Sequence, residues 1–99
     1  MKVSKEIVKI QNRLKKLTYK KVKYIIISIE YYQYQDDWYV FPLFQEEGSE
    51  CITYIANPFP SNDSNILEGK GKTLINGIKN LINNIEKVEK SNYRLFKFE

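Results

Sequence analysis

The stretch that decides the fold runs from Val22 to Glu46 and reads VKYIIISIEYYQYQDDWYVFPLFQE. It is rich in isoleucine and tyrosine, and β-branched and aromatic residues favour strands. Its first part, Val22 to Gln35, predicts a strand with a continuous apolar face formed by Ile25, Ile27, Ile29 and Tyr31. The alternate positions form a mixed, aromatic face with Tyr24, Ile26, Ser28, Glu30, Tyr32 and Tyr34.

A turn at Gln35-Asp36-Asp37 leads into a second predicted strand, Trp38 to Gln45. Two registers are open, because a one-residue shift moves every side chain to the other face. A two-residue loop at Asp36-Asp37 puts Trp38, Val40 and Phe44 on the face of Ile27 and Ile29. A three-residue loop puts Tyr39, Phe41 and Leu43 there. In both registers large aromatic residues remain beside Glu30, Tyr32 and Tyr34.

Pro42 limits where the second strand can lie. Proline cannot donate a hydrogen bond to a strand ladder, so this strand is at the edge of the sheet or is interrupted at Pro42. Beyond it, Glu46 to Ser49 predicts a turn and Glu50 to Ala56 a third strand. That strand places Cys51 as a small core or sheet residue. Asn57 to Asn65 is a surface loop by composition.

Two amphipathic helices flank the strands. The first is predicted from about Ser4, its N-cap, to about Thr18, and the second begins after an N-cap at Thr73. Tyr93 to Phe98 alternates like a closing strand. The stripe residues are Val3, Ile7, Ile10, Leu14 and Leu17 in the first helix, and Leu74, Ile78, Leu81, Ile85 and Val88 in the second.

These elements predict an α+β fold in the order α-β-β-β-α-β. Residues 1–99 form a single domain in this interpretation, because a chain of this length has room for one core. Both helices are expected on one face of an antiparallel sheet.

Charge is segregated along the chain. The first 24 residues carry nine lysines and arginines against one acid, and residues 70–99 carry seven against three. Between them, residues 25–69 hold no cation, eight acids and nine of the fourteen aromatic residues. The net charge of +4 thus divides into +8, −8 and +4, which predicts two oppositely charged surfaces.

The residue inventory argues against an enzyme. The chain has no histidine and one cysteine, so it lacks the commonest general base and the commonest metal ligand. We expect no catalytic residue, no cofactor and no metal site. Gly69-Lys70-Gly71-Lys72-Thr73 resembles part of a phosphate loop, but Ile66 stands where that motif requires a glycine. This segment is instead predicted to be a flexible helix cap.

The location predicted from the sequence is intracellular. The longest uninterrupted apolar run, Tyr24 to Ile27, is too short to span a membrane. Residues 1–6 lack the apolar core of a signal peptide. A lone cysteine fits a reducing compartment. We therefore expect no membrane partner.

The aromatic, acidic face of the predicted sheet is the leading candidate for function. Tyrosine and tryptophan are common at interface hot spots, and neighbouring acids attract a basic partner. We interpret the chain as a protein-binding module, with a homodimer interface as another use of this face. The predicted partner-binding residues are Glu30, Tyr32, Tyr34, Asp36, Asp37, Trp38 and Glu46.

The basic N-terminal region supports the alternative, a nucleic-acid-binding protein. Lysine-rich surfaces supply sequence-independent affinity for phosphates. Arginine, the better reader of phosphates and bases, occurs once in this region. The residues of this hypothesis are Lys5, Lys9, Arg13, Lys16, Lys20, Lys21 and Lys23.

The whole chain has fewer than a hundred residues and is rich in isoleucine, tyrosine and lysine, with no histidine and one cysteine. In this make-up and in its element order it resembles the small proteins of archaeal lipothrixviruses and rudiviruses, including those of filamentous Acidianus viruses. The resemblance implies a thermostable, acid-tolerant α+β protein in the host cytoplasm. Since some small proteins of these viruses are anti-CRISPR inhibitors, it also implies an inhibitor of a host protein.

A second similarity links Asp37-Trp38-Tyr39-Val40-Phe41-Pro42-Leu43, Cys51 and Thr73-Leu74 to the strand-and-helix pattern of HicB-type antitoxins. The chain lacks the aspartate that follows the proline in that family, and Cys51 lies too far downstream. No site residue is carried over from it.

Overall fold

The computed structural model describes residues 2–61 and 64–99, with the backbone alone at residues 60 and 61. A helix, antiparallel strands and a C-terminal helix form the predicted α+β fold. The elements are α1 (Val3–Leu17), β1 (Val22–Tyr32), β2 (Asp37–Glu46), β3 (Ile52–Tyr54), β4 (Ala56–Ser61), β5 (Ser64–Ile66), β6 (Gly69–Gly71) and α2 (Leu74–Glu89).

The loop between β1 and β2 is longer than either predicted alternative. Tyr32 pairs with Asp37, so four residues, 33–36, connect the strands. The first strand therefore ends three residues before Gln35. Asp36 has a left-handed φ of 52°, a conformation that aspartate adopts more readily than most residues. The turn chemistry of this one residue sets the loop length.

Although the loop is longer, each side chain of β2 lies on the face that the two-residue alternative predicted. Ile29 lies opposite Val40, and Ile25 lies opposite Phe44. Directly opposed residues in an antiparallel pair share a face. The apolar face of β1 therefore continues across β2 through Trp38, Val40, Pro42 and Phe44.

The strand that contains Pro42 lies at the centre of the sheet, so the predicted edge position is wrong. On one side β2 pairs with β1. On the other side, residues 38–40 pair with β6 and residues 43–45 pair with β3. The Phe44 carbonyl points towards β3, where it accepts the Thr53 hydroxyl at 3.5 Å. Backbone groups of residues two apart point to the same side of a strand, so the backbone nitrogen of Pro42 also points away from β1. Its missing N–H falls in the gap between β6 and β3. Strand β2 itself runs unbroken from Asp37 to Glu46, so the predicted interruption at Pro42 is wrong as well.

Both helices pack on the apolar face of the hairpin. The predicted stripes supply the core from Ile10 and Leu14 of α1 and from four positions of α2. The Thr73 hydroxyl accepts the Asn76 amide at 3.1 Å, which confirms the predicted N-cap of α2. The N-cap of α1 is Lys2 rather than Ser4, and no side chain caps this end. The buried core residues are Ile10, Leu14, Val22, Ile25, Val40, Phe44, Ile55, Leu67, Ile78, Leu81, Ile85, Val88 and Leu95.

The segment between β3 and α2 differs most from the prediction. The predicted loop, residues 57–65, contributes to a two-stranded sheet of β4 and β5, with its residues 62 and 63 outside the described residues. Leu67 is buried in the core. Residues 69–71 pair with β2 instead of forming a flexible cap. Glycine and lysine carry no strand signal, so only the tertiary contacts reveal this strand.

The C-terminal segment is less regular than the closing strand predicted for Tyr93 to Phe98. The Leu95 amide donates to the Leu17 carbonyl, and the Phe98 amide donates to the Tyr54 carbonyl, both at 2.8 Å. Leu95 is buried, whereas its aromatic neighbours are exposed. In the described chain this segment joins the end of α1 to β3 and β4 through two isolated bridges.

Cys51 lies just before β3 and is exposed. The core position predicted for it is wrong. Pairing of β3 begins at Ile52, opposite Gln45, so Cys51 lies in the irregular segment that leads into β3 and the predicted sheet position is wrong too.

Candidate functional site: the outer face of the sheet

The sheet face opposite the core is covered by neither α1 nor α2. We call it the outer face. Side chains alternate between the two faces of a strand, so the mixed face predicted for β1 lies here. Its residues are Tyr24, Ile26, Ser28, Glu30 and Tyr32 of β1, Asp37, Tyr39, Phe41, Leu43 and Gln45 of β2, Ile52 and Tyr54 of β3, and Lys70 of β6.

One half of the outer face is an apolar patch formed by Tyr24, Ile26, Leu43, Ile52 and Tyr54. Ile26 lies opposite Leu43, and Leu43 lies opposite Tyr54. Tyr24, Ile52 and Tyr54 expose 55%, 51% and 45% of their surface. Contiguous exposed apolar side chains of this kind mark interaction sites.

Beside the apolar patch, β5 and the outer face enclose a cleft of about 190 Å³. Phe41 is 5% exposed and its ring centroid lies 5.6 Å from that of Tyr54. The rings of Tyr32 and Tyr39 are 4.8 Å apart. The cleft residues are Glu30, Tyr32, Gln35, Tyr39, Phe41, Tyr54, Ile66 and Glu68.

Two carboxylates give the cleft its polarity. The Tyr32 hydroxyl donates to a Glu30 carboxylate oxygen at 2.6 Å, and this bond raises the pKa of Tyr32. Partial burial raises the pKa of Glu68, which a hydrogen bond from Ser64 and the charge of Lys70 oppose. The cleft thus combines aromatic rings with two carboxylates, of which that of Glu68 is partly desolvated.

A larger polar groove of about 440 Å³ continues from the cleft along α2. The two cavities share Tyr39, Ile66 and Glu68. Two asparagines of α2 hold β6 in place: the Asn84 amide donates to the Glu68 carbonyl at 2.7 Å, and the Asn80 amide donates to the Lys70 carbonyl. These bonds satisfy backbone acceptors along the outer edge of β6.

The structure divides the seven predicted partner-binding residues among several places. Glu30 and Tyr32 lie in the cleft. Tyr34 and Asp36 lie in the exposed turn, where Asp36 accepts the Tyr31 hydroxyl at 2.7 Å. Trp38 lies on the helix side of the sheet, 5.0 Å from the Tyr31 ring, as in the two-residue register, so it is not part of the outer face.

The remaining two predicted residues bind the chain's own lysines. Asp37 is 6% exposed and lies 3.0 Å from Lys72 and 3.5 Å from Lys70. The hydrogen bond from Lys72 holds its pKa below the usual value. Glu46, at the far end of β2, lies 3.7 Å from the Lys97 ammonium. It also accepts the Tyr19 hydroxyl at 2.6 Å, a bond that lowers its pKa. Part of the charge segregation is therefore neutralised internally.

Sequence reasoning did not select the other cleft residues. Tyr39 and Phe41 follow from the register of the hairpin, which the sequence left open. Ile66 and Glu68 lie between the predicted loop, residues 57–65, and the predicted helix cap, and no local pattern there indicates a binding site.

Some basic residues of the nucleic-acid hypothesis form ion pairs with acids of the same chain. Arg13 Nε donates to Glu89 at 3.0 Å, a bond that raises the pKa of Arg13 and lowers that of Glu89. Lys9 lies 3.6 Å from Glu6. The Lys23 ammonium lies 5.2 Å from the Tyr24 ring centroid. Four exposed lysines complete the set: Lys5, Lys16, Lys20 and Lys21.

Comparison with protein-family models, curated proteins and solved structures finds no match to this chain. Neither helix described above is long and apolar enough to cross a bilayer. Across residues 2–61 and 64–99, no three acidic or cysteine side chains come together in a way that could hold a metal ion.

Proposed function

We propose that this chain is a protein-binding module that engages a basic partner through the outer face. One observation carries the proposal: a cleft that contains four aromatic rings and two carboxylates opens beside an uncovered apolar patch. Tyr54 belongs to both features, so one partner segment can contact them together.

The chemistry of the cleft favours a cationic side chain of the partner. A guanidinium or ammonium group is attracted to the face of an aromatic ring and makes strong hydrogen bonds to carboxylates. The chain makes the same contact internally, since the Lys70 ammonium lies 5.9 Å from the Tyr39 ring centroid. Arginine suits the cleft better than lysine, because its planar group can stack on a ring while it bonds to an acid.

In this proposal the module inhibits its partner, because it occupies the partner's basic surface. Proteins that bind nucleic acid concentrate arginine and lysine in their grooves. An acidic aromatic surface seated in such a groove competes with phosphates for the same cations. The implied anti-CRISPR relation fits this role, and the target is a basic host protein.

Defined peptides test the cleft. Dodecapeptides with a central arginine between apolar residues are compared with citrulline peptides, which keep the shape and lose the charge. We expect the arginine peptides to bind at least ten times more tightly. A double change, Glu30→Gln with Glu68→Gln, should remove that preference, and Tyr54→Ala should weaken both peptides. Tyr93→Ala and Glu47→Gln, at exposed positions off the outer face, should change neither affinity. Equal binding of arginine and citrulline peptides would refute the proposal.

Competition tests the inhibitory role. A photo-crosslinker at position 54 is used to capture a protein from extract of the cells that express the chain, with the same crosslinker at position 93 as control. The captured protein should be released by nucleic acid and should be lost with the double carboxylate change. Capture that nucleic acid does not affect would contradict inhibition by groove occupation.

A further inference from the structure

Strand β1 has a neighbouring strand on one side only, within residues 2–61 and 64–99. Helix α1 contacts the other edge of β1 only near the beginning of the strand. There Gln11 Nε2 donates to the Ile25 carbonyl at 2.8 Å and Lys15 Nζ donates to the Lys23 carbonyl at 2.9 Å. From Ile26 to Tyr32 the edge is open.

The direction of the backbone groups follows from the bond to Gln11. The Ile25 carbonyl accepts from α1, so it points away from β2. Backbone groups alternate in direction along an antiparallel strand. The N–H and C=O groups of Ile27, Ile29 and Tyr31 therefore point to the open edge.

This edge lacks the features that usually prevent pairing. Edge strands are commonly protected by lysine, proline, a bulge or short length. Residues 26–32 contain no lysine and no proline, and the irregularity in β1 lies earlier, between Val22 and Tyr24. Glu30 is the only charge in this stretch, and its side chain lies on the outer face rather than along the edge.

We propose that a second copy of this chain pairs with this edge, antiparallel, with the two-fold axis at Ile29. The three outward-pointing residues are spaced symmetrically about Ile29. In this register Ile29 faces its own copy and Ile27 faces Tyr31 of the second copy, giving about six backbone hydrogen bonds. The open edge is thus complementary to itself.

The side chains favour the same register. On the outer face, Ile26 lies opposite Tyr32 of the second copy, and Ser28 lies opposite Glu30. Pairs of an aromatic and a β-branched residue stabilise a sheet, whereas like charges directly opposite destabilise it. An axis at Glu30 would place the two Glu30 carboxylates opposite each other. An axis at Ile27 would require backbone groups near Ile25, where Gln11 and Lys15 are already bound.

The helices leave this part of β1 accessible. Ile29 and Tyr31 point to the helix side, yet they expose 36% and 44% of their surface. Helix α1 bonds to residues 22–25, away from the axis. The dimer would join two sheets edge to edge and leave both outer faces open to a partner. Ile26, Glu30 and Tyr32 of the outer face would border the seam, so the dimer is tested at positions 27, 29 and 31, which belong to neither the cleft nor the apolar patch.

Solution mass and hydrogen exchange test the dimer in the full chain. The mass by sedimentation equilibrium should rise from 11.8 kDa toward twice that value between about 1 and 100 μM, as mass action requires. Amide exchange at residues 27, 29 and 31 should slow with concentration, while residues 28 and 30, which bond to β2, should not change. A monomer throughout this range would overturn the proposal.

Substitutions at the axis separate pairing from folding. Ile29→Lys should keep the circular dichroism of the parent and abolish the dimer, and Ile29→Pro should do the same by removing an outward N–H. Ile75→Lys, at an exposed position of α2, is the matched control and should leave the dimer intact. If the proline variant does not fold, the lysine variant decides. A dimer that survives Ile29→Lys would refute pairing at this edge.

Cysteine crosslinking tests the register. In a Cys51→Ser background, Ile29→Cys should form a disulfide dimer on oxidation, because opposed residues of a hydrogen-bonded pair have Cα atoms about 5.5 Å apart, within disulfide range. Ile27→Cys alone and Tyr31→Cys alone should not crosslink, but a mixture of the two should. Crosslinking of Ile29→Cys no faster than that of the parent through Cys51 would overturn the register.

Discussion

Gly69 of β6 and Gly77 of α2 meet backbone to backbone. A β-carbon on Gly69 would overlap the Gly77 carbonyl oxygen and would lie 2.7 Å from Leu81 Cβ. This contact lets the helix pack directly on a short strand. Gly71 is also close to α2, since a β-carbon there would lie 2.5 Å from the Gly77 nitrogen. These two approaches explain the glycines that resemble a phosphate loop in the sequence.

Gly69→Ala should therefore destabilise the protein by about 2–3 kcal/mol, because backbone atoms cannot move aside as a flexible side chain can. Urea unfolding at pH 7 measures the change. Gly48→Ala is the control: Gly48 has open space around it but a φ of +78°, so we expect a smaller loss, about 1 kcal/mol. Equal losses would mean that packing between β6 and α2 is not tight.

The ion pairs of Asp37 predict how stability depends on pH. The pKa of this carboxyl in the folded protein is below its ordinary value of 3.8, mainly because of the hydrogen bond from Lys72. The folded state therefore binds this proton less readily than the unfolded state. The stabilisation is fully present above about pH 4 and is lost as the pH falls through the folded value.

Asp37→Asn should lower the urea midpoint by a constant amount between pH 7 and pH 5, and the difference from the parent should shrink below pH 4. Glu47→Gln, which removes an exposed acid, is the matched change of charge and should have little effect. A difference for Asp37→Asn that stays constant to pH 2 would contradict the assigned ion pairs.

Arg13 and Glu89 connect the two helices through two contacts of one guanidinium with one carboxylate. Their side chains are each about one-third exposed, so we expect a coupling energy of about 0.5–1 kcal/mol. A double-mutant cycle with Arg13→Gln and Glu89→Gln measures it. A coupling near zero would show that water competes fully for this pair.

The same pair weakens the nucleic-acid hypothesis, because Arg13 is already bound. We expect duplex DNA to be retarded only at low salt, with a slope of log K against log salt of about −3 or shallower, as for about three phosphate contacts. Lys20→Glu, Lys21→Glu and Lys23→Glu together should abolish that retardation. Tight binding at about 0.15 M salt, lost in this triple variant, would favour nucleic-acid binding as the function.

The hairpin and helices could be predicted because their residues repeat with a period that one buried face requires. Ile25, Ile27 and Ile29 identify the core side of β1, and Thr73 identifies the start of α2. The loop length could not be predicted, because it depends on the left-handed backbone of Asp36. The strand at Gly69–Gly71 could not be predicted either, since contacts with α2 and β2 create it.

The candidate site was predicted only where it lies on one strand. Glu30 and Tyr32 are two positions apart, so alternation alone places them on one face. Glu68 and Ile66 come from more than thirty residues away and reach the cleft through β5 and the turn into β6. Trp38 could not be assigned to one face, because its face depends on a register that the sequence did not decide.

Because β2 changes partners at Pro42, β4 and β5 form an excursion from the four-stranded sheet. The chain leaves at β3 and returns at β6 on the same side of the same strand, and the Leu67 amide closes the neck by donating to the Ile55 carbonyl at 2.8 Å. We therefore expect changes in β4 and β5 to leave the pairing of β1 with β2 in place. One wall of the cleft, which Ile66 supplies, can then be altered without altering the residues of β1 and β2 that form its floor.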